Sequence, residues 1–303
     1  MGTMRGRSRT VIAAVTVALL AVIVGCMQLP VIGAGGLLHP ARHHLTAATP
    51  RACVDAEYAG AGVTLRGWQC SAAPPVRATI VYLHGIADNR ASAAGAIARF
   101  VPHGYDVIAF DSRAHGESSG DACTYGYFEK DDLHRVIDTI RHGPVILIGT
   151  SLGAAIALQE AAGDSRVAAI VAAETFSDLR TVATERAPRF FTQGTIDHAF
   201  AIAESQARFQ VDAVSPQRAA ARIHVPVLVV HGAEDTDTPP AHSQRVFDAL
   251  PGPKRLILVP GAHHNQSLSG PVWDQIERWI DEVVGRGSER GSDLTPGGAG
   301  LQT

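Results

Sequence analysis

Residues 145–162 read VILIGTSLGAAIALQEAA. Val145 to Ile148 form a short, branched, apolar run of strand type, and the small-residue stretch from Leu152 onward has the character of a helix. Between them Gly149, Thr150, Ser151, Leu152 and Gly153 match G-x-S-x-G. In a strand-to-helix context this pattern forces the serine into a strained backbone conformation and exposes its Oγ, while the flanking glycines clear room for the turn. Five residues alone do not separate a nucleophile from a polar residue in a small-residue turn. A nucleophilic serine needs a base to take its proton, and that base needs an acid to orient it.

Working outward, branched apolar runs recur at 78–85, 105–113, 166–174, 225–232 and 254–260, separated by helix-like stretches at 92–104, 129–143, 152–163, 243–252 and 270–285. This alternation predicts an α/β fold, with a mostly parallel central sheet flanked by helices. Between Glu174 and Ile223 the rhythm breaks for roughly 50 residues, too long for an ordinary connection. The helical pieces 176–187 and 195–209 inside it predict a small helical cap over the sheet edge, at about 175–222.

The base and the acid are sought where α/β sheets gather their sites, on loops after the C-terminal ends of strands. After 225–232 comes HGAEDTDTP (231–239), in which Asp235 is the expected acid, with Glu234 and Asp237 as alternatives. After 254–260 comes GAHHN (261–265), in which His264 or His263 is the expected base. The order Ser, Asp, His suits this arrangement. The oxyanion donors are expected to be the backbone N–H groups of Leu152 and Ile86. His84, His115 and His231 each precede a glycine and read as loop-holding residues, and Asp111 and Arg113 as a pair bracing the loop after the second run. No histidine stands at metal-ligand spacing, so neither a metal nor a cofactor is expected.

Five pieces together, HGIADN (84–89), DSRAHGESSG (111–120), GTSLG (149–153), HGAEDTDTP and PGAHHN (260–265), resemble the α/β-hydrolase superfamily of serine hydrolases over about residues 50–285. The resemblance is to lipase-like and esterase-like bacterial members, near the depalmitoylating and serine-aminopeptidase-like branches. It implies an α/β-hydrolase fold and cleavage of an ester, thioester or amide, the carboxylesterase class first, through Ser151, His264 and Asp235. In such proteins the last motif reads G-x-G-H-N, which aligns His264 with the base and puts His263 where a glycine is usual. The same triad serves acyltransferases, and an inactive binding protein on this fold is the remaining alternative. A dehalogenase or epoxide hydrolase would need Asp where this chain has Ser151.

The N-terminus has a separate character. Arg5, Arg7 and Arg9 precede the uncharged run Thr10 to Cys26, the order of an export signal. Its end, IVGC (23–26), resembles a lipoprotein signal with Cys26 as the lipidated residue; an uncleaved membrane anchor and a secreted form are the alternatives. Export agrees with a disulfide between Cys53 and Cys70, which flank a Gly-rich hairpin turn at 60–62. The expected map is therefore signal or anchor 1–26, linker 27–50, catalytic domain 51–285 and disordered tail 286–303. A net charge of −3 on 303 residues offers no basic face for nucleic acid. The expected partners are a small or lipid-like acyl substrate and, through the N-terminus, a membrane; the oligomeric state stays open.

Overall fold

The computed structural model describes residue 16, residue 25 and residues 27–292, with side chains to 285. Eight strands form one sheet: β1 (Cys53–Ala59), β2 (Thr64–Cys70), β3 (Ala78–Leu83), β4 (Tyr105–Phe110), β5 (Val145–Thr150), β6 (Val167–Ala173), β7 (Val227–Gly232) and β8 (Lys254–Val259). Their order is β1-β2-β4-β3-β5-β6-β7-β8, antiparallel from β1 to β4 and parallel from there on. In β1 and β2, Cys53 lies opposite Cys70 and the two are joined by a disulfide.

The helices follow in chain order. α1 is helical over 27–38, and α2 (Ala94–Phe100), α3 (Glu129–Ile137), α4 (Leu152–Ala161) and α5 (Leu179–Glu185) come next. The rest are α6 (Gln193–Ala207), α7 (Pro216–Ala220), α8 (Ala241–Ala249) and α9 (Gly270–Ser292). Because side chains alternate along a strand, the central strands feed two cores. Val81, Leu83, Leu147, Ile170 and Val229 face α3, α4 and α8, whereas Ile80, Tyr82, Ile146, Ile148, Val171 and Val230 face α2 and α9. Burial on both faces explains why these strands read as unbroken apolar runs.

Four expectations need correction. The 27–50 segment is not a bare linker: Pro30, Ala34 and Leu38 of α1 are buried at four-residue spacing, one helical stripe, and Ala34 and Leu38 join the core. The chain beyond is tied down as well, since Arg42 donates to the carbonyls of Ser118 and Gly120, and Cys123 N–H donates to Leu38 O. At the other end, α9 carries helical backbone through Ser292, seven residues into the expected tail. Its apolar stripe, Val272, Trp273, Ile276 and Ile280, seats the helix firmly, and an unfinished helix extends at little cost. Asp111 and Arg113 do not pair. The chain turns after Phe110, so Asp111 binds Arg90 at 2.5 Å and Arg113 binds Asp132 at 2.7 Å. In the 175–222 interval, α7 packs back on α4 and α8, leaving α5 and α6 as the cap-like pair.

Candidate active site

β5 delivers Ser151 to the C-terminal edge of the sheet, where the chain turns at once into α4. Ser151 has φ 49° and ψ −110°, a strained conformation for a side-chain-bearing residue. Its amide donates to Ala173 O at 2.8 Å, and its carbonyl opens α4 by accepting from Ala155. The flanking glycines are sterically obligatory: a Cβ on Gly149 would lie 2.4 Å from the Gly153 backbone, and one on Gly153 would lie 2.2 Å from Leu83 O.

β7 ends at Gly232 and places Asp235 on the next turn, while β8 leads to the loop that carries His264. The two loops lie against each other because Gly232 has no side chain; a Cβ there would meet Ala262 O at 2.4 Å. Ser151 Oγ is 3.1 Å from His264 Nε2, and His264 Nδ1 is 2.6 Å from Asp235 Oδ2. An ionised carboxylate only accepts, so the Nδ1 proton belongs to the Asp235 contact, and Nε2 is left to accept from the serine hydroxyl. Asp235 Oδ1 accepts from the N–H groups of Asp237 and Thr238, and Oδ2 also accepts from His231 Nε2 at 3.1 Å. Burial works to raise the Asp235 carboxyl, but the hydrogen bonds from Thr238 N–H and His264 outweigh it. The group is held below the usual carboxylate range and stays anionic.

The sequence alternatives fall elsewhere. His263 turns its Nδ1 to Glu234 O at 2.8 Å with its side chain 56% exposed, so of the two histidines only His264 meets the serine. The Glu234 side chain is solvated, and Asp237 contributes its amide to Asp235 and its carbonyl to Arg186. Ile86 lines the cleft beside Ser151, and Gly85 lies against the serine, where a Cβ would stand 3.7 Å from Ser151 Cβ. The Leu152 amide is the first of α4, and no hydrogen bond from the N–H of Ile86 or Leu152 occurs among the described residues. His84 holds the neighbouring loop: its Nδ1 donates to Gly85 O and its Nε2 accepts from Ser112 N–H. Cys53 and Cys70 lie at the far edge of the sheet. Cys26 is outside the described residues.

One residue escaped the sequence reading. Glu174, just after β6, has φ 55° and is 2% exposed. Its carboxylate accepts from the amides of Asn265 (2.5 Å) and Ser267 (2.9 Å), and one oxygen lies 4.0 Å from His264 Nδ1. It grips the loop on which His264 sits. The one signal available was its position, a carboxylate at the C-terminal end of a buried strand on the same sheet edge as Ser151 and Asp235.

The cleft, about 600 Å³, is lined by Ile86, Ser151, Glu185, Arg186, Thr236, Asp237, Pro239, His264 and Asn265. Known proteins share this framework. A family profile described as the alpha/beta hydrolase fold matches residues 78–198, and one for X-Pro dipeptidyl-peptidase (S15 family) matches 192–265. The Pyrococcus furiosus esterase Pf2001 superposes with a TM-score of 0.65 at 21% identity, covering 82% of this chain and 98% of that one. The fold is that of the α/β-hydrolases. Mouse alpha/beta hydrolase domain-containing protein 10 has the same α/β-hydrolase framework, with a TM-score of 0.58 at 21% identity over 76% of this chain and 99% of its own. At such identities the likeness is one of fold. Among curated relatives, YqkD of Bacillus subtilis is 26% identical over 201 residues, 63% of this chain and 66% of YqkD, just under two thirds of that relative. YfhR of Escherichia coli K12 is 27% identical over 237 residues, 74% of this chain and 77% of YfhR.

Proposed function

We propose that this α/β-hydrolase is a serine hydrolase, a carboxylesterase in the first instance, that works through an acyl-enzyme. The observation that carries the reading is the unbroken line from Ser151 Oγ to His264 (3.1 Å) to Asp235 (2.6 Å), beginning at a strained turn. Ser151 Oγ attacks the substrate carbonyl carbon as its proton passes to His264 Nε2. The N–H groups of Ile86 and Leu152 receive the developing oxyanion. The tetrahedral intermediate collapses, the leaving group takes the proton from His264, and the acyl group stays on Ser151. Water then repeats the sequence, giving its proton to His264 and releasing the carboxylic acid. Asp235 holds the imidazole tautomer throughout and offsets its positive charge.

A fluorophosphonate probe tests this reading. It is expected to label the protein at one site and to lose that label in Ser151→Ala; a persistent label moves the nucleophile elsewhere.

The proposed place of action is the outer face of a membrane, which the charged-then-apolar order of residues 5–26 supports. Among the described residues no helix is long and apolar enough to cross a bilayer, and most of that segment lies outside them.

A further inference from the structure

A second cavity, about 420 Å³, adjoins the cleft and shares Ile86 and Arg186 with it. Its volume falls within the range of about 300–1000 Å³ typical of ligand sites. Apart from Arg186 its walls are mainly apolar, and besides Ile86 and Tyr125 they come from two sources. The cap supplies Leu179, Val182, Phe191, Ile196 and Phe200, and α1 supplies Ile32, Gly33, Gly36 and Leu37. The lining face of α1 is therefore distinct from its core-facing stripe at 30, 34 and 38.

The helix is held in this position by two contacts. Tyr125 donates its hydroxyl to Leu37 O at 3.0 Å. Gly33 lies so close to the cap that a Cβ would stand 3.0 Å from the Phe191 ring and 3.1 Å from Ala199 Cβ. The two cavities differ in chemistry. The cleft around Ser151 carries Glu185, Thr236, Asp237 and Asn265 and suits a polar leaving group and the incoming water, whereas the α1 cavity suits a hydrocarbon. In an acyl-enzyme the acyl part is retained after the leaving group departs, so the apolar chamber is matched to the part that stays.

We infer that this cavity is the acyl-chain subsite, that α1 is one of its walls, and that the substrate is an acylated amphiphile with a medium or long chain. The inference rests on the serine-hydrolase reading and adds a role for a segment that otherwise reads as the end of an export signal. Because α1 follows directly on that segment, the helix that walls the chamber also carries the proposed anchor. This puts the chamber beside the bilayer surface, where acylated amphiphiles reside.

Two glycines on α1 allow a clean test. Gly36 lines the cavity and Gly35 does not, yet a Cβ at either position meets nothing within 4 Å. A phenylalanine at either position should fold, since each change replaces a helical glycine. On p-nitrophenyl esters of the wild type, kcat/KM should climb about fourfold per methylene from acetyl until the chamber fills, the increment that burial of one CH₂ supports. Gly36→Phe should lower the decanoyl-to-acetyl ratio of kcat/KM at least tenfold, and Gly35→Phe should leave it within twofold. A flat chain-length profile, or equal effects of the two variants, would overturn the inference. Binding of a fluorescent eleven-carbon fatty acid to Ser151→Ala gives a readout without turnover. It should weaken in Ser151→Ala/Gly36→Phe and not in Ser151→Ala/Gly35→Phe. A wild type that takes no fluorophosphonate label, with fatty-acid binding to Ser151→Ala intact, would refute the hydrolase reading alone, whereas wild-type labelling at Ser151 with equal binding to both double variants would refute the subsite alone.

Discussion

Glu174→Gln tests how the His264 loop is held. Both Glu174 oxygens accept backbone amides, from Asn265 at 2.5 Å and Ser267 at 2.9 Å, in a site that is 2% exposed. Glutamine has nearly the same shape but one acceptor, so one amide loses its partner and faces an NH₂ group. Losing a charge-assisted hydrogen bond and stranding a buried donor costs about 3 kcal/mol together, relieved only if the 264–267 loop shifts. His264 moves with it. A loss of that size at the reacting geometry corresponds to about two decades in rate, and a misplacement of about 1 Å also costs about 10²-fold. The expected outcome is a fall in kcat/KM of about 10²-fold, carried by kcat with KM for a short ester little changed, because Glu174 does not line the cleft. Fluorophosphonate labelling should slow by a similar factor. Wild-type labelling and a kcat/KM within twofold would refute a positioning role. A rise in KM alone would show that the residue shapes the cleft instead.

Two further outcomes follow from the same geometry. His264→Ala should cost several orders of magnitude in kcat/KM and His263→Ala less than fivefold, since only His264 reaches Ser151; the opposite ranking in ester hydrolysis would show that the loop carries its base one position earlier. His115 is fully buried, and burial holds it neutral with a pKa of about 4 against an ordinary 6.5. Below pH 6.5 the unfolded chain binds a proton that the folded one refuses, so stability present above 6.5 drains away as pH falls toward 4, by up to about 3 kcal/mol. Urea midpoints at pH 7 and pH 5 should differ less in His115→Asn than in wild type, and identical differences would remove His115 from the account.

Much of this molecule was legible because the sheet and the site obey short-range rules. The inner parallel strands, β3 to β7, are buried on both faces and so read as apolar runs, and the candidate site's loops sit where such runs end. The chain order of Ser151, Asp235 and His264 thus already puts all three on one edge of the sheet. The turn itself was legible through sterics, since the glycines at 149 and 153 leave no space for a Cβ. What stayed hidden was pairing across distance. Asp111 meets Arg90 rather than Arg113 because the chain turns after Phe110, and no local pattern announces which guanidinium a buried carboxylate will meet. Glu174 stayed hidden for a related reason: its partners are backbone amides 91 and 93 residues away, which leave no trace in residue type.

α1 was hidden by a different cause, which bears on how the site is built. The uncharged run of the N-terminal segment continues into MQLPVIGAGGLL, so the apolar character of α1 merges with that of the expected export segment. The same residues meet a second demand that hydropathy does not register. Positions 30, 34 and 38 dock on the core, and 32, 33, 36 and 37 face the cavity beside Ile86. In an aqueous helix each glycine at 33, 35 and 36 costs stability relative to alanine. Gly33 lets α1 lie close to α6, and Gly36 leaves space in the cavity wall. Truncation before residue 39 would therefore remove a wall of the cavity as well as the proposed tether.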